Sequence, residues 1–383
     1  MHIELIAEAD KNITGLRRYT DTMKKYFARQ ESRTKIGMTF SDAPMPRLLD
    51  GIGRLTGKDL TTFIQHYPLR LKLPKADLYH LTSESLASVL QFQRIRPSIV
   101  TVHGLLTYLL RDDPELSMYN HGVERFVDAL SVKGLAKADH LIAVSDYLRR
   151  ALINDVGIPE DRITVVPEAV DHDYFRPVEV NQAFKDRYNL SDEFRYILYV
   201  GSEQPRKNFP MLIRAFARVH AKFPDIKLLK CGQAEVPAQR EAAMKAIRET
   251  NMQEHVIFAG HVSDDLVYFY NYATVFAFPS KYEGFGFPPL EAMACGAPVI
   301  SSNTASLPEV VNDAALLINP EDEDQLVDAL RQMLASEETR EEFRQRGLAN
   351  AAQFDWNNTI EQTIAVYERV LGEKTTQSSH LRR

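Results

Sequence analysis

Glu283-Gly-Phe-Gly-Phe-Pro-Pro-Leu-Glu291-Ala-Met-Ala-Cys-Gly-Ala-Pro-Val-Ile300 sets two carboxylates eight positions apart around a glycine-rich turn. Gly284 and Gly286 keep that turn free of side-chain bulk, and Pro288-Pro289 mark the opening of a helix. Exposed amides at such an opening suit phosphate. The spacing predicts Glu291 in the first helical turn, where a carboxylate can accept from two vicinal hydroxyls, with Glu283 on the loop beside it. Taken singly, Glu283 also fits a strand end and Glu291 a first-turn acid favoured by the helix dipole. The agreement of Gly284, Phe285, Gly286, Leu290 and the strand entry Pro298–Ile300 favours a ligand-binding turn.

Upstream, Tyr199-Val-Gly-Ser-Glu-Gln-Pro-Arg206-Lys207-Asn208 ends a strand at Gly201 and follows it with two cations. Arg206 offers a planar fork and Lys207 a compact point charge, and both match phosphate oxygens. A solvated basic turn is the plainer alternative. Ser98-Ile-Val-Thr-Val-His103-Gly104 reads as a short buried strand of β-branched residues ending in a histidine. A residue at the carboxyl end of a parallel strand is placed to face a ligand, although a histidine that merely caps a loop gives the same string.

The strings fit a larger pattern. Apolar strands expected at Tyr196–Val200, Ile226–Leu229, Val256–Phe258, Thr274–Phe278 and Pro298–Ile300 alternate with helical stretches such as Met211–Phe223. That alternation predicts an α/β fold with parallel sheets. The chain of 383 residues is long enough for two domains with cores of their own. Asp171–Asn189, with Pro177 and mixed polarity, is the linker candidate, which puts a boundary near 175. The spacing of Trp356, Ile360, Ile364, Tyr367 and Val370 predicts an amphipathic docking helix over about 355–372, with Trp356 as a packing anchor, and residues 373–383 read as a disordered polar tail.

Composition excludes several classes. A formal charge of −6 argues against nucleic acid as an obligate partner. Two cysteines, Cys231 and Cys295, make neither a disulfide framework nor a metal pair, and no signal sequence or membrane-length apolar run is legible, so the expected compartment is the cytoplasm. Glu321-Asp322-Glu323-Asp324 spells a D-x-D, but it precedes Leu326, Ala329, Leu330, Met333 and Leu334 at helical spacing and reads as an acid-rich helix start. No metal site is expected. The stretch after Gly15 sets Arg17, Arg18, Lys24, Lys25 and Arg29 opposite Leu16, Tyr19, Met23 and Phe27, which reads as a solvated basic face or, as the lesser alternative, a weak peripheral membrane contact. The glycine fingerprint of a nicotinamide-dependent dehydrogenase is absent.

Together these strings resemble the retaining glycosyltransferases of the GT-B fold, in particular glycosyltransferase family 4 (group 1), whose E-x(7)-E signature matches Glu283 to Glu291. The resemblance implies two doubly wound Rossmann-like domains facing a crevice: an acceptor-side domain over 1–175, completed by the C-terminal crossover helix, and a nucleotide-sugar domain over 176–354. It implies a sugar-nucleotide donor held by Gly15, Gly201, Arg206, Lys207 and the turn Glu283, Gly284, Phe285, Gly286, Leu290 and Glu291, with Arg206 and Lys207 on the diphosphate, Glu283 on the sugar and Glu291 on the ribose hydroxyls, and a base met by main-chain groups at Val262, with Ser263 as a helix cap. His103, Glu283, Arg206 and Lys207 take the catalytic roles. The implied reaction moves a hexose, mannose or glucose, from a GDP- or UDP-linked donor to a glycan, lipid-linked or small-molecule acceptor, with no cofactor or metal, by front-face attack in which the leaving phosphate takes the proton. The chain departs from the family at Thr14, at Ser202 and at Glu168-Ala169, where the family shows glycine, arginine and Asn-Gly. Those departures keep a non-catalytic sugar-nucleotide-binding module as an alternative, beside a same-fold epimerase or phosphorylase.

Overall fold

The computed structural model describes residues 1–8, 15–29, 34–41, 68–113, 115–117, 122–234, 236–262 and 264–380. They form two compact units, Met1–Glu168 with Trp356–Arg383 and Ala169–Asp355. The division falls a few residues before the boundary read near 175, because Val170 is already tied into the second unit. Its N–H donates to the Phe354 carbonyl at 3.3 Å, beside a parallel bridge to Asp355. The expected linker is likewise ordered: it contains a helix, Gln182–Tyr188, capped by Asn181, whose side chain accepts from Phe184 N at 2.9 Å.

The first unit is a six-stranded parallel sheet of β1 (His2–Ala7), β2 (Lys35–Phe40), β3 (Leu78–Leu81), β4 (Ser98–Val102), β5 (His140–Ala143) and β6 (Ile163–Val165), in the order β2-β1-β3-β4-β5-β6. Strands β3 to β5 are apolar runs because helices cover both faces of a parallel sheet. Helix Gly15–Arg29 buries Tyr19, Met23, Tyr26 and Phe27 and exposes Lys24 and Arg29, as its periodicity requires. Trp356 is buried against it, 6.0 Å from the Tyr26 ring and 5.5 Å from that of Tyr19, a packing role. The final helix, Trp356–His380, also anchors through Tyr367, whose hydroxyl lies 2.6 Å from His80 Nδ1. It runs on past Gly372, where the sequence suggested a disordered tail: a lone glycine costs a helix only about 1 kcal/mol, and no proline follows. Residues 381–383 lie outside the described residues.

The second unit is a six-stranded parallel sheet of β7 (Arg195–Val200), β8 (Ile226–Cys231), β9 (Val256–Gly260), β10 (Val275–Phe278), β11 (Val299–Ser302) and β12 (Ala315–Ile318). Its order, β12-β11-β10-β7-β8-β9, is a doubly wound topology that reverses direction between β7 and β10. Adjacent strands whose helices leave to opposite faces open a crevice at their carboxyl ends, and this is where such sheets bind ligands. In the first unit the corresponding reversal lies between β1 and β3. The D-x-D string is the start of helix Glu323–Ala335, with Asp322 as its cap on Gln325 N. Among the described residues no group of three or more histidine, cysteine or acidic side chains is arranged to hold a metal, and no helix is long and apolar enough to cross a membrane.

Candidate functional site

At the reversal of the second sheet, the segment after β7 and the segment after β10 meet. Pro205–Lys207 forms a single 3-10 turn, and Asn208, at φ +58°, bends the chain into helix Phe209–His220. This bend turns Lys207 inward. Its Nζ donates to Glu283 Oε1 at 2.7 Å, and Arg206 Nη1 donates to the same oxygen at 3.1 Å. Ser280 Oγ supplies a third donor at 2.6 Å. Burial alone would push the Glu283 carboxyl up, but Lys207, Arg206 and Ser280 hold it below the usual carboxylate range. Two cations thus share one carboxylate in a nearly buried place, which leaves the cluster one positive charge in excess, an arrangement that favours a multiply charged anion.

The turn around Glu283 is held from beneath. Ser306 Oγ donates to the Glu283 and Phe285 carbonyls at 2.9 and 2.5 Å, and Arg206 Nη1 also bonds the Tyr282 carbonyl at 3.0 Å. Gly286 has φ +136°, a conformation side-chain-bearing residues rarely adopt, and a Cβ there would meet Leu307 Cδ2 at 3.0 Å. The helix it opens is Phe287–Ala294, with prolines in its first turn as expected. Counting from Phe287, Glu291 lies one turn further in than the sequence placed it, buried, with Tyr270 Oη donating to its Oε2 at 2.8 Å. The Leu290 side chain is fully buried, and Phe285 packs on Phe287 and Phe354, so both side chains are committed to packing.

Gly201 and Val262 take their places at the same edge. Gly201 follows β7 and bonds Cys231 O at 3.0 Å, while a Cβ on neighbouring Gly232 (φ +105°) would stand 2.4 Å from Gly201 O. Three strand ends therefore crowd together here. Val262 lies two residues beyond the end of β9; Ser263, its expected capping neighbour, lies outside the described residues, as does Thr14. Gly15 begins the first helix of the other unit.

His103 follows β4 in the first unit. Its Nδ1 lies 2.5 Å from Glu168 Oε1 and its Nε2 lies 2.8 Å from the Thr82 carbonyl. A carbonyl only accepts, so Nε2 carries a proton, and the carboxylate draws a second one to Nδ1. Burial pushes the imidazole down, but the Glu168 carboxylate, helped by the charge of Glu84 and the Thr82 carbonyl, raises the pKa to about 9. Glu168, one of the departures noted above, is thus the partner that charges His103, and Ala169 beside it avoids the left-handed region. Both ring nitrogens are engaged, so the ring serves as a fixed imidazolium within its own unit.

The sign of its contribution to stability follows. A histidine whose folded pKa exceeds its ordinary value of about 6.5 contributes stability that is complete below that value and lost as pH rises through about 9. Thermal unfolding of the wild type is expected at lower temperature at pH 9 than at pH 7, and Glu168→Gln should flatten that difference. An unchanged difference in the variant would refute the ion pair.

Sequence reasoning missed Ser280, Ser306, Tyr270 and Glu168 as supports, and with them Gln204, whose Oε1 accepts from Arg206 Nε at 2.8 Å. Ser306 is 23 residues from Glu283, and nothing in local spacing marks it.

A sheet reversal lined by paired cations, a glycine turn and two buried glutamates fits the family resemblance, and comparison with known proteins places the chain accordingly. Residues 13–174 match the family model "Glycosyltransferase Family 4" and residues 180–349 match "Glycosyl transferases group 1". The chain belongs to these glycosyltransferases. It is 35% identical over 251 residues to an O-antigen chain mannosyltransferase B of Escherichia coli, an alignment covering 64% of each chain, so it spans less than two thirds of that relative. Among solved structures it is similar to sucrose-phosphate synthase from Thermosynechococcus elongatus (TM-score 0.74, 21% identity, 97% of this chain and 100% of that one). It is also similar to the Anabaena protein HepE in complex with UDP-glucose (TM-score 0.72, 18% identity, 96% of this chain and 100% of that one). The fold is GT-B.

Proposed function

We propose that the protein is a retaining hexosyltransferase that moves mannose or glucose from a GDP- or UDP-linked donor to a glycan, lipid-linked or small-molecule acceptor. The observation that carries this reading is the convergence of Lys207 and Arg206 on Glu283 Oε1 at the reversal of the second sheet. In this proposal the two cations take the donor diphosphate and stabilise the charge that develops on it as the sugar leaves. Glu283, with one oxygen fixed on the cations, directs the other to a sugar hydroxyl. Glu291 accepts from the ribose, and main-chain groups at Val262 meet the base. The acceptor belongs to the first unit, whose carboxyl edge the imidazolium of His103 orders. The mannosyltransferase relative supports mannose, and the UDP-glucose complex of the structural neighbour supports a nucleotide sugar as donor. No metal takes part, because the cations and the helix opening at Phe287 supply the neutralising charge. The reaction belongs to the cytoplasm.

Incubation of the protein with GDP-mannose or UDP-glucose and a polysaccharide or lipid-linked acceptor tests this. The expected products are free nucleoside diphosphate and a linkage with the donor's anomeric configuration, formed at the same rate in excess chelator. Inversion at the anomeric carbon, or loss of the rate on chelation, would overturn the corresponding part of the proposal.

A further inference from the structure

The first unit carries a cavity at the edge of its sheet away from His103. The chain between the 3-10 helix Ser85–Gln91 and β4 forms one side of it, and Lys137, in the turn before β5, stands on the other. Its volume is about 560 Å³, inside the range of about 300–1,000 Å³ usual for small-ligand sites. It lies at the amino end of β4, whereas His103 follows the carboxyl end, so the length of that strand, about 16 Å, separates the two.

The charge that lines it is of one sign. Arg94, Arg96 and Lys137 line the cavity and no acidic side chain does, in a chain whose formal charge is −6. These cations are little engaged by the protein. Arg94 makes no hydrogen bond or ion pair among the described residues. Arg96 Nη1 lies 3.7 Å from Asp139 Oδ1, a loose pair whose other carboxylate oxygen accepts from Ser98 N at 2.8 Å. Lys137 Nζ donates, among the described residues, to the Gln91 carbonyl alone, at 3.4 Å. Three cations against one carboxylate leave a surplus of two charges, which suits a phosphate ester, at about −1.5 to −2, better than a carboxylate.

The cavity also has an apolar part. Leu90 and Ile95 are buried beneath it, and Phe92, 59% exposed, stands open beside the cations. The loop that carries them is fixed. Gln93 Oε1 accepts from Leu71 N at 2.8 Å and its Nε2 donates to Leu71 O at 3.0 Å, while Ser131 Oγ bonds Ser85 O at 2.9 Å. A ligand therefore meets a backbone that needs little ordering to receive it.

We infer that this cavity is a binding site for a phosphate group, separate from the donor cations Arg206 and Lys207, which belong to the second unit. The inference does not depend on the transferase reading. Arg94 and Arg96 present guanidinium forks to the phosphate oxygens, Lys137 adds a point charge, and Phe92 packs on the apolar part of the ligand. A membrane phospholipid and a soluble phosphate ester share that chemistry.

Two probes distinguish them: sedimentation with phosphatidylcholine vesicles that contain or lack phosphatidylglycerol, and calorimetric titration with glycerol 3-phosphate. The test variant is Arg94→Gln/Arg96→Gln/Lys137→Gln, which exchanges exposed side chains and should keep the wild-type thermal midpoint. It is expected to weaken binding of at least one probe ~10-fold or more, while Lys207→Ala leaves that binding unchanged. Loss confined to the vesicles that contain phosphatidylglycerol, and shared by Phe92→Ala, assigns the cavity to a lipid headgroup; loss with glycerol 3-phosphate assigns it to a soluble ester. A wild type that binds neither probe, or a triple variant that binds both as tightly as the wild type, would overturn the inference.

Discussion

Lys207→Ala is expected to lower kcat/KM by about 10²–10³, with most of the loss in kcat. The lysine is nearly buried and shares Glu283 Oε1 with Arg206, so removing it takes away the charge that meets the departing diphosphate when that charge is largest. The fold should survive, because Glu283 keeps Arg206 and the Ser280 hydroxyl and is not left as an unpaired buried charge. Steady-state kinetics with varied donor separates the two effects. A variant with wild-type kcat and raised KM would show that Lys207 binds donor and transition state alike, and a wild-type kcat/KM would remove Lys207 from the mechanism.

Glu203→Leu should have the opposite signature, a loss of stability of about 3–5 kcal/mol. Lys230 of β8 is fully buried, and its Nζ lies 2.8 Å from Glu203 Oε1, which also meets Arg240 Nη2 at 2.7 Å. Burial already draws the Lys230 ammonium below its usual pKa, and the Glu203 carboxylate opposes that. Without Glu203 the ammonium is left in the core with, among the described residues, only the Gly232 carbonyl, at 2.7 Å, as partner. Replacing both residues together, Glu203→Leu with Lys230→Met, should recover most of the loss, since a buried pair replaced by packed apolar groups is often neutral. Urea unfolding midpoints of the single and double variants decide it; a single variant as stable as wild type would contradict the account.

Much of the fold was legible because it follows from local periodicity. The apolar runs from Tyr196 to Val200 and from Ile226 to Leu229 had to be strands buried on both faces, and the stretches between them had to be helices. The glycine turn and its helix were equally local, down to the prolines in the first turn of Phe287–Ala294. What was not legible depends on contacts far apart in sequence. The bond between His80 and Tyr367 spans 287 residues, and the fixing of the Glu283 turn by Ser306 spans 23. His103 was visible as a strand-end histidine, but its charge is set by Glu168, 65 residues on, where the sequence showed only a departure from a familiar turn.

The account stands most directly on calorimetric titration of the wild-type protein with GDP-mannose and UDP-glucose in the presence of chelator. It predicts saturable one-site binding of one of them that Lys207→Ala weakens at least ~10-fold, as loss of a charge-assisted phosphate contact requires. No binding of either nucleotide sugar, or equal binding by the variant, would contradict it.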